Sequence, residues 1–165
     1  YEDVLVGQVH ELQNTYRMPP RTTEVGQREF FHRRYRQIRD YERYLYENGY
    51  RVLKIFLNVS KEKQKERFLE RIETPAKNWK FSASDLKERA LFDEYAKVIG
   101  EVISATATPE CPWYVIPADQ KWYTRYLVSE LVADALRRSC HEYPALPDEA
   151  RARLQDCRRR LEEED

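Results

Sequence analysis

The chain has 165 residues, a length that fits one domain and can bury roughly 70% of its unfolded surface without disulfides or metal. Lysine plus arginine and aspartate plus glutamate each total 29, so the formal net charge is zero, and no whole-protein basic field for nucleic acid exists. Charged residues make up 35% and the mean hydropathy is −0.87, yet 13% of the chain is aromatic, which is too much for a disordered polymer.

No run of about 18 apolar residues occurs, and no basic stretch precedes Val4–Val6, so neither a membrane span nor a secretory leader is expected. Cys111, Cys140 and Cys157 are odd in number and lack metal-type spacing. They read as reduced thiols of a cytoplasmic protein. With only 4 glycines, the chain is poor in the residue that phosphate-cradling loops need.

In chain order, residues 1–12 fit either a strand opened by Val4-Leu5-Val6 or a helix joining these to Val9 and Leu12. Residues 13–26, with Pro19, Pro20 and Gly26, read as a loop. From Gln27 to Asn48, Phe31, Tyr35, Ile38, Tyr41 and Leu45 recur every three or four residues, and Asn48-Gly49 supplies a stop, which predicts a helix. VLKIFLNV, residues 52–59, predicts a strand buried on both faces. Ser60 caps a helix expected to run from Lys61 to about Glu73, ahead of Pro75. Ser84 is expected to cap a second helix, with Asp85 at its positive end, carrying Leu86, Ala90, Phe92, Tyr95, Val98 and Ile103. WYVI, ending at Pro117, predicts a second strand. A helix follows from Gln120 to about Arg138, and a surface helix lies in the tail. This order describes an α/β domain with a parallel sheet.

The densest chemical signal lies in residues 65–95. Arg67 and Arg71 share a helical face, Lys77 and Lys80 flank Trp79, and Arg89 projects from the next helix. Two helices meeting at that turn would gather cations for a polyanion. From spacing alone, pairing of Arg67 and Arg71 with Glu66, Glu70 and Glu73 on a solvated face fits equally well. Asp119 after the second strand reads from the residues alone as a helix N-cap before Gln120. Asp85, Asp93 and Glu94 form a weak metal candidate. His10 and His32 read as surface residues. Arg33, Arg34, Arg36 and Arg39 read as a basic stretch paired with Asp40 and Glu42.

Three pieces, RYRQIRDYERYLYENGY, VLKIFLNVSKEKQKERFLERIETPAKNWKFSASDLKERALFDEY and CPWYVIPADQKW, resemble the polyphosphate kinase 2 family in order and spacing. That family is a branch of the P-loop kinases similar in fold to thymidylate kinase. YEDVLVGQVH is similar to the segment that follows the family's FDRSxY-type motif. The resemblance implies a three-layer parallel sheet, incomplete here, with a helical lid at about 61–95. Residues 1–143 would be the C-terminal part of the domain, and 144–165 a tail helix. It implies phosphoryl transfer between inorganic polyphosphate and AMP, ADP or ATP class nucleotides, with Mg2+, in a cytoplasmic homo-oligomer that engages neither nucleic acid nor membrane. Arg67 and Arg71 would neutralise charge on the transferred group, Lys77, Lys80 and Arg89 would bind substrate, and Ala118 with Asp119 would meet the nucleotide.

The sequence has no GxxxxGK[ST] and no looser GxDxxGK. The loop that would cradle phosphate and the acidic motif that would hold metal therefore fall outside it. An inactive fragment with an exposed sheet edge and poor solubility is the resulting expectation. Two other readings stand beside it: a non-catalytic module binding polyphosphate or a protein, and a nucleoside monophosphate kinase-like protein.

Overall fold

A computed structural model describes residues 1–139 and 142–164; Cys140 lies outside the described residues. The chain divides into two units, Tyr1–Val132 and Ala133–Asp165. The first holds α1 (Glu2–Val9), a single turn α2 (Pro20–Thr23), α3 (Gln27–Glu47), β1 (Lys54–Asn58), α4 (Lys61–Glu73), α5 (Ser84–Ala90), α6 (Phe92–Thr106) and β2 (Trp113–Pro117). Helix α7 (Lys121–Arg137) starts in the first unit and ends in the second, which also holds α8 (Asp148–Glu162).

The ambiguous opening is helical. Val4 and Gly7 face inward, and a Cβ at Gly7 would meet the Tyr16 hydroxyl at 2.7 Å, so the glycine is what permits this close approach. The core joins Val4, Phe30, Phe31, Tyr35, Val98, Ile99 and Val102 from α1, α3 and α6, with Phe56 of β1 against it.

β1 and β2 pair in parallel, Lys54 opposite Trp113 and Asn58 opposite Pro117. These two strands are the whole sheet among the described residues, so the molecule is mostly helical and the expected three-layer sheet is present only in part. The first strand is also not buried throughout. Leu57 is 51% exposed and Val115 of β2 is 50% exposed. Apolar strand sequence requires a cover, and these two side chains have little.

Helix starts follow local hydrogen bonding. Ser60 Oγ accepts the Lys63 N–H at 3.1 Å and caps α4, as its sequence position requires. The return helix is capped differently from expectation. Ser82 Oγ accepts the Ser84 N–H at 3.3 Å, while the Asp85 carboxylate accepts the Ser82 N–H at 3.2 Å. Side-chain caps at the start of this helix therefore begin at Ser82, two residues earlier than Ser84. The single helix expected from Ser84 to Ile103 is broken at Leu91, whose N–H bonds the Glu88 carbonyl three residues back. The i−4 ladder resumes when Tyr95 N–H reaches Leu91 O at 2.9 Å.

Under the strands sits a polar cluster. Lys54 Nζ donates to Glu42 Oε2 at 2.7 Å and to the Thr106 carbonyl at 2.8 Å. The Tyr1 hydroxyl donates to Glu42 Oε1 at 2.5 Å, and Trp113 Nε1 donates to Thr106 Oγ1 at 2.9 Å.

Candidate functional site

Parallel strands deliver their following loops to one edge, where ligands of α/β proteins collect. Here those loops are Val59-Ser60 and Ala118-Asp119. The Ala118 N–H extends the ladder to Asn58 O at 2.9 Å, and the Ser60 N–H donates to Asp119 Oδ1 at 2.8 Å. That backbone donor is the main reason the Asp119 carboxyl sits below its ordinary pKa; Arg67 and Lys63 lower it further. The N-cap reading of Asp119 gives way to this cross-loop bond. Gln120 instead supplies the carbonyl that accepts the Thr124 N–H.

Arg67 comes from α4 into the same corner. Its Nη2 donates to the Ala118 carbonyl at 2.6 Å and to the Asp119 carbonyl at 3.4 Å. Its buried Nε has no partner. Arg67 thus pairs with backbone oxygens, not with Glu66, Glu70 or Glu73. Spacing could not show this, because a carbonyl partner leaves no mark in the sequence.

From that corner α4 runs out, turns through the 3-10 segment Pro75–Lys80, and returns as α5. Three cross-contacts define antiparallel arms. Asn78 Nδ2 donates to the carbonyls of Arg71 and Ile72 at 2.8 and 2.7 Å. Phe68 meets Phe81 edge-on at 5.8 Å. Arg89 Nη1 donates to the Lys61 carbonyl and to Gln64 Oε1, both at 2.7 Å.

The cations are therefore strung along one hairpin. Arg67 and Arg89 lie at its root, Arg71 stands about 6 Å further along the helix, and Lys77 and Lys80 are at the bend. Lys77 is paired with Glu70, whose carboxyl this partner lowers. Arg71 lies over the Phe68 ring at 5.5 Å and Lys80 over the Trp79 ring at 5.0 Å; neither is in an ion pair among the described residues. Trp79 is 79% exposed. A cleft of about 880 Å³ lies elsewhere, between α1, α3 and α6, over Phe31, Tyr35 and Val98.

Several of the remaining candidates have structural partners, whereas Glu94 lines the cleft beside α3. Asp93 pairs with Lys61 at 2.8 Å, and Asp85 is spent on its cap. Among the described residues no group of three or more His, Cys, Asp or Glu is placed to hold a metal ion. In the basic stretch, Arg33 pairs with Glu29 and Arg34 with Asp3, and Arg39 donates to the Ala105 carbonyl. The expected acceptors are engaged elsewhere, Asp40 by Arg43 and Glu42 by Lys54. His10 is exposed and lies 2.9 Å from Glu88; His32 is exposed beside Tyr35.

A mostly helical chain with a small parallel strand pair and a cationic helical hairpin at its C-terminal edge is consistent with a fold of the P-loop kinase type. The family described as "Polyphosphate kinase 2 (PPK2)" matches residues 1–144, and the chain belongs to that family. It is 40% identical over 161 residues to the ADP-polyphosphate phosphotransferase of Rhodopseudomonas palustris, covering 98% of this chain and 55% of that protein. It is 49% identical to an uncharacterized protein of Leptolyngbya boryana, covering 81% of this chain and 98% of that one. Polyphosphate kinase 2 from Arthrobacter aurescens superposes with a TM-score of 0.77 at 36% identity, over 94% of this chain and 52% of that structure. The chain thus spans about half the length of these curated phosphotransferases, among them the AMP/ADP-polyphosphate phosphotransferase of Meiothermus ruber. Among the described residues no helix is long and apolar enough to cross a membrane.

Proposed function

We propose that this chain supplies the lid-bearing half of a polyphosphate:nucleotide phosphotransferase, acting on polyphosphate with an AMP or ADP class acceptor as a cytoplasmic homo-oligomer. In this reading residues 1–143 belong to a three-layer kinase domain, about 61–95 form its lid, and 144–165 are a separate tail. The observation that carries it is the Arg67–Ala118–Asp119 corner at the ends of both strands. There the root of the cationic hairpin is tied to the loop after β2.

A string of cations suits a linear polymer of phosphates better than it suits one compact anion. Lys77, Lys80 and Arg89 sit at separate points along the hairpin and would meet successive phosphates, with Glu70 giving up Lys77 as the anion arrives, while Arg71 joins Arg67 at the transferring group. Arg67 holds Ala118 and Asp119 through Nη2 and keeps its Nη1 edge for the transferring group. Ala118 and Asp119 present the nucleotide loop. Phosphoryl transfer depends almost wholly on positioning and charge stabilisation. The hairpin supplies part of the second. Mg2+, when bound, would supply further charge neutralisation; no cluster of three or more carboxylate, histidine or cysteine groups holds it among the described residues, and in this reading the chain by itself binds the polymer without transferring phosphate.

Tryptophan fluorescence of the chain tests this directly, because exposed Trp79 lies beside Lys80. Adding polyphosphate should give a saturable change that is weakened in Arg71→Gln and Lys80→Gln. With ADP and Mg2+ present, no ATP should form. Absence of binding would overturn the polymer-binding role, and rapid ATP formation would overturn the division of labour.

A further inference from the structure

The family match ends at residue 144, and α8 begins beyond it, at Asp148. This helix has 15 residues and none is buried. Helices of that length are marginal in water unless a face is packed. Ala150, Leu154, Cys157 and Leu161 recur at intervals of four, three and four, forming one apolar seam of the coiled-coil type. Leu154 and Leu161 are 57% and 66% exposed. Arg151 and Arg158 flank the seam on one side, Arg153 and Arg160 on the other, while Asp148, Glu149, Asp156, Glu162 and Glu163 lie towards the back. Three of the flanking arginines hold only exposed partners within the helix, Glu149, Glu162 and Asp156, and such pairs exchange readily.

We propose that this face of α8 docks an acidic amphipathic helix, whose leucine-type seam meets Leu154, Cys157 and Leu161 and whose flanking glutamates or aspartates meet the four arginines. Charge decides the occupant. A second copy would set arginine against arginine in either parallel or antiparallel pairing, because both flanks carry the same sign. A membrane surface would need a larger apolar face than two leucines supply.

Fluorescence anisotropy of the full chain with a labelled peptide of about three heptads, leucine at a and d and glutamate at e and g, is the test. Saturable binding that weakens as salt rises is expected. Binding should fall at least about tenfold in Leu154→Glu and in the Arg151→Glu, Arg158→Glu pair. A chain with all four flanking arginines reversed (Arg151→Glu, Arg153→Glu, Arg158→Glu, Arg160→Glu) should instead accept a peptide with lysine at e and g. No binding of the glutamate peptide overturns the proposal, as does equal binding of the lysine peptide by the unaltered chain. Self-association through Leu154 without peptide, or preference for anionic vesicles over the peptide, also overturns it.

Discussion

Lys54 and Glu42 form an ion pair at 2.7 Å with side chains only 3% and 7% exposed. Lys54 opens β1 and Glu42 lies on α3, so the pair fastens the sheet to the helical layer. The Tyr1 ring, Trp113 ring and Thr106 carbonyl enclose the ammonium, and burial with the bond to Glu42 pushes the Tyr1 phenol well above its ordinary pKa. Removing one partner leaves a buried charge uncompensated. Lys54→Ala and Glu42→Ala should each cost about 3–5 kcal/mol, whereas a joint Lys54→Met, Glu42→Leu change should cost less than either. Urea unfolding of the three variants checks the ordering.

Gly100 lies inside α6, and a methyl group added there would meet nothing within 4 Å. Gly100→Ala should therefore stabilise the fold by about 0.8–1 kcal/mol through helix propensity. Gly7→Ala should destabilise it, because the new methyl must displace the Tyr16 hydroxyl from Asp3. Opposite signs in the same unfolding assay are the expected outcome.

The Asp119 carboxyl is depressed first by the Ser60 N–H. A carboxyl lowered on folding adds stability above its unfolded value of about 3.9, and that contribution is lost as pH falls through the folded value. Ser60 has φ −68°, which proline can adopt. Ser60→Pro removes both the N–H and the hydroxyl, so carboxyl titration by NMR should return Asp119 towards about 3.9. Loss of the α4 cap should cost about 1 kcal/mol as well.

Arg67→Ala breaks a charged hydrogen bond to Ala118 O. The expected cost is about 1.5–3 kcal/mol of local stability. Hydrogen exchange should quicken at Ala118 and through the first turns of α4, and stay unchanged in the α1–α3–α6 core. Uniform quickening would mean that Arg67 supports the whole fold and not this corner.

Much of the architecture is legible in the sequence because it depends on local chemistry. The Phe31–Leu45 periodicity, the Ser60 cap, the Pro75 stop and the WYVI strand all correspond to observed elements. What escapes depends on partners distant in sequence. Lys54 looks like an interruption in an apolar strand, and only α3 reveals its carboxylate. The break at Leu91 has no proline or glycine to announce it. Arg67 and Arg71 are equivalent by spacing, yet one is tied to two carbonyls and the other rests on Phe68. The hairpin's cations are legible as a set. Their distribution along two arms is not, since it follows from how Asn78 and Arg89 stitch the arms together.

The most direct measurement joins this chain to the portion of the Rhodopseudomonas palustris phosphotransferase that it does not cover, a protein with which it shares 40% identity. ATP formation from polyphosphate and ADP is then followed. The joined enzyme should be active, and Arg71→Gln should lower kcat by roughly 10³-fold or more, the scale of arginine charge stabilisation in phosphoryl transfer. Near-normal turnover in Arg71→Gln and Arg67→Gln alike would contradict the account, because the hairpin would then contribute nothing to the transferring phosphate.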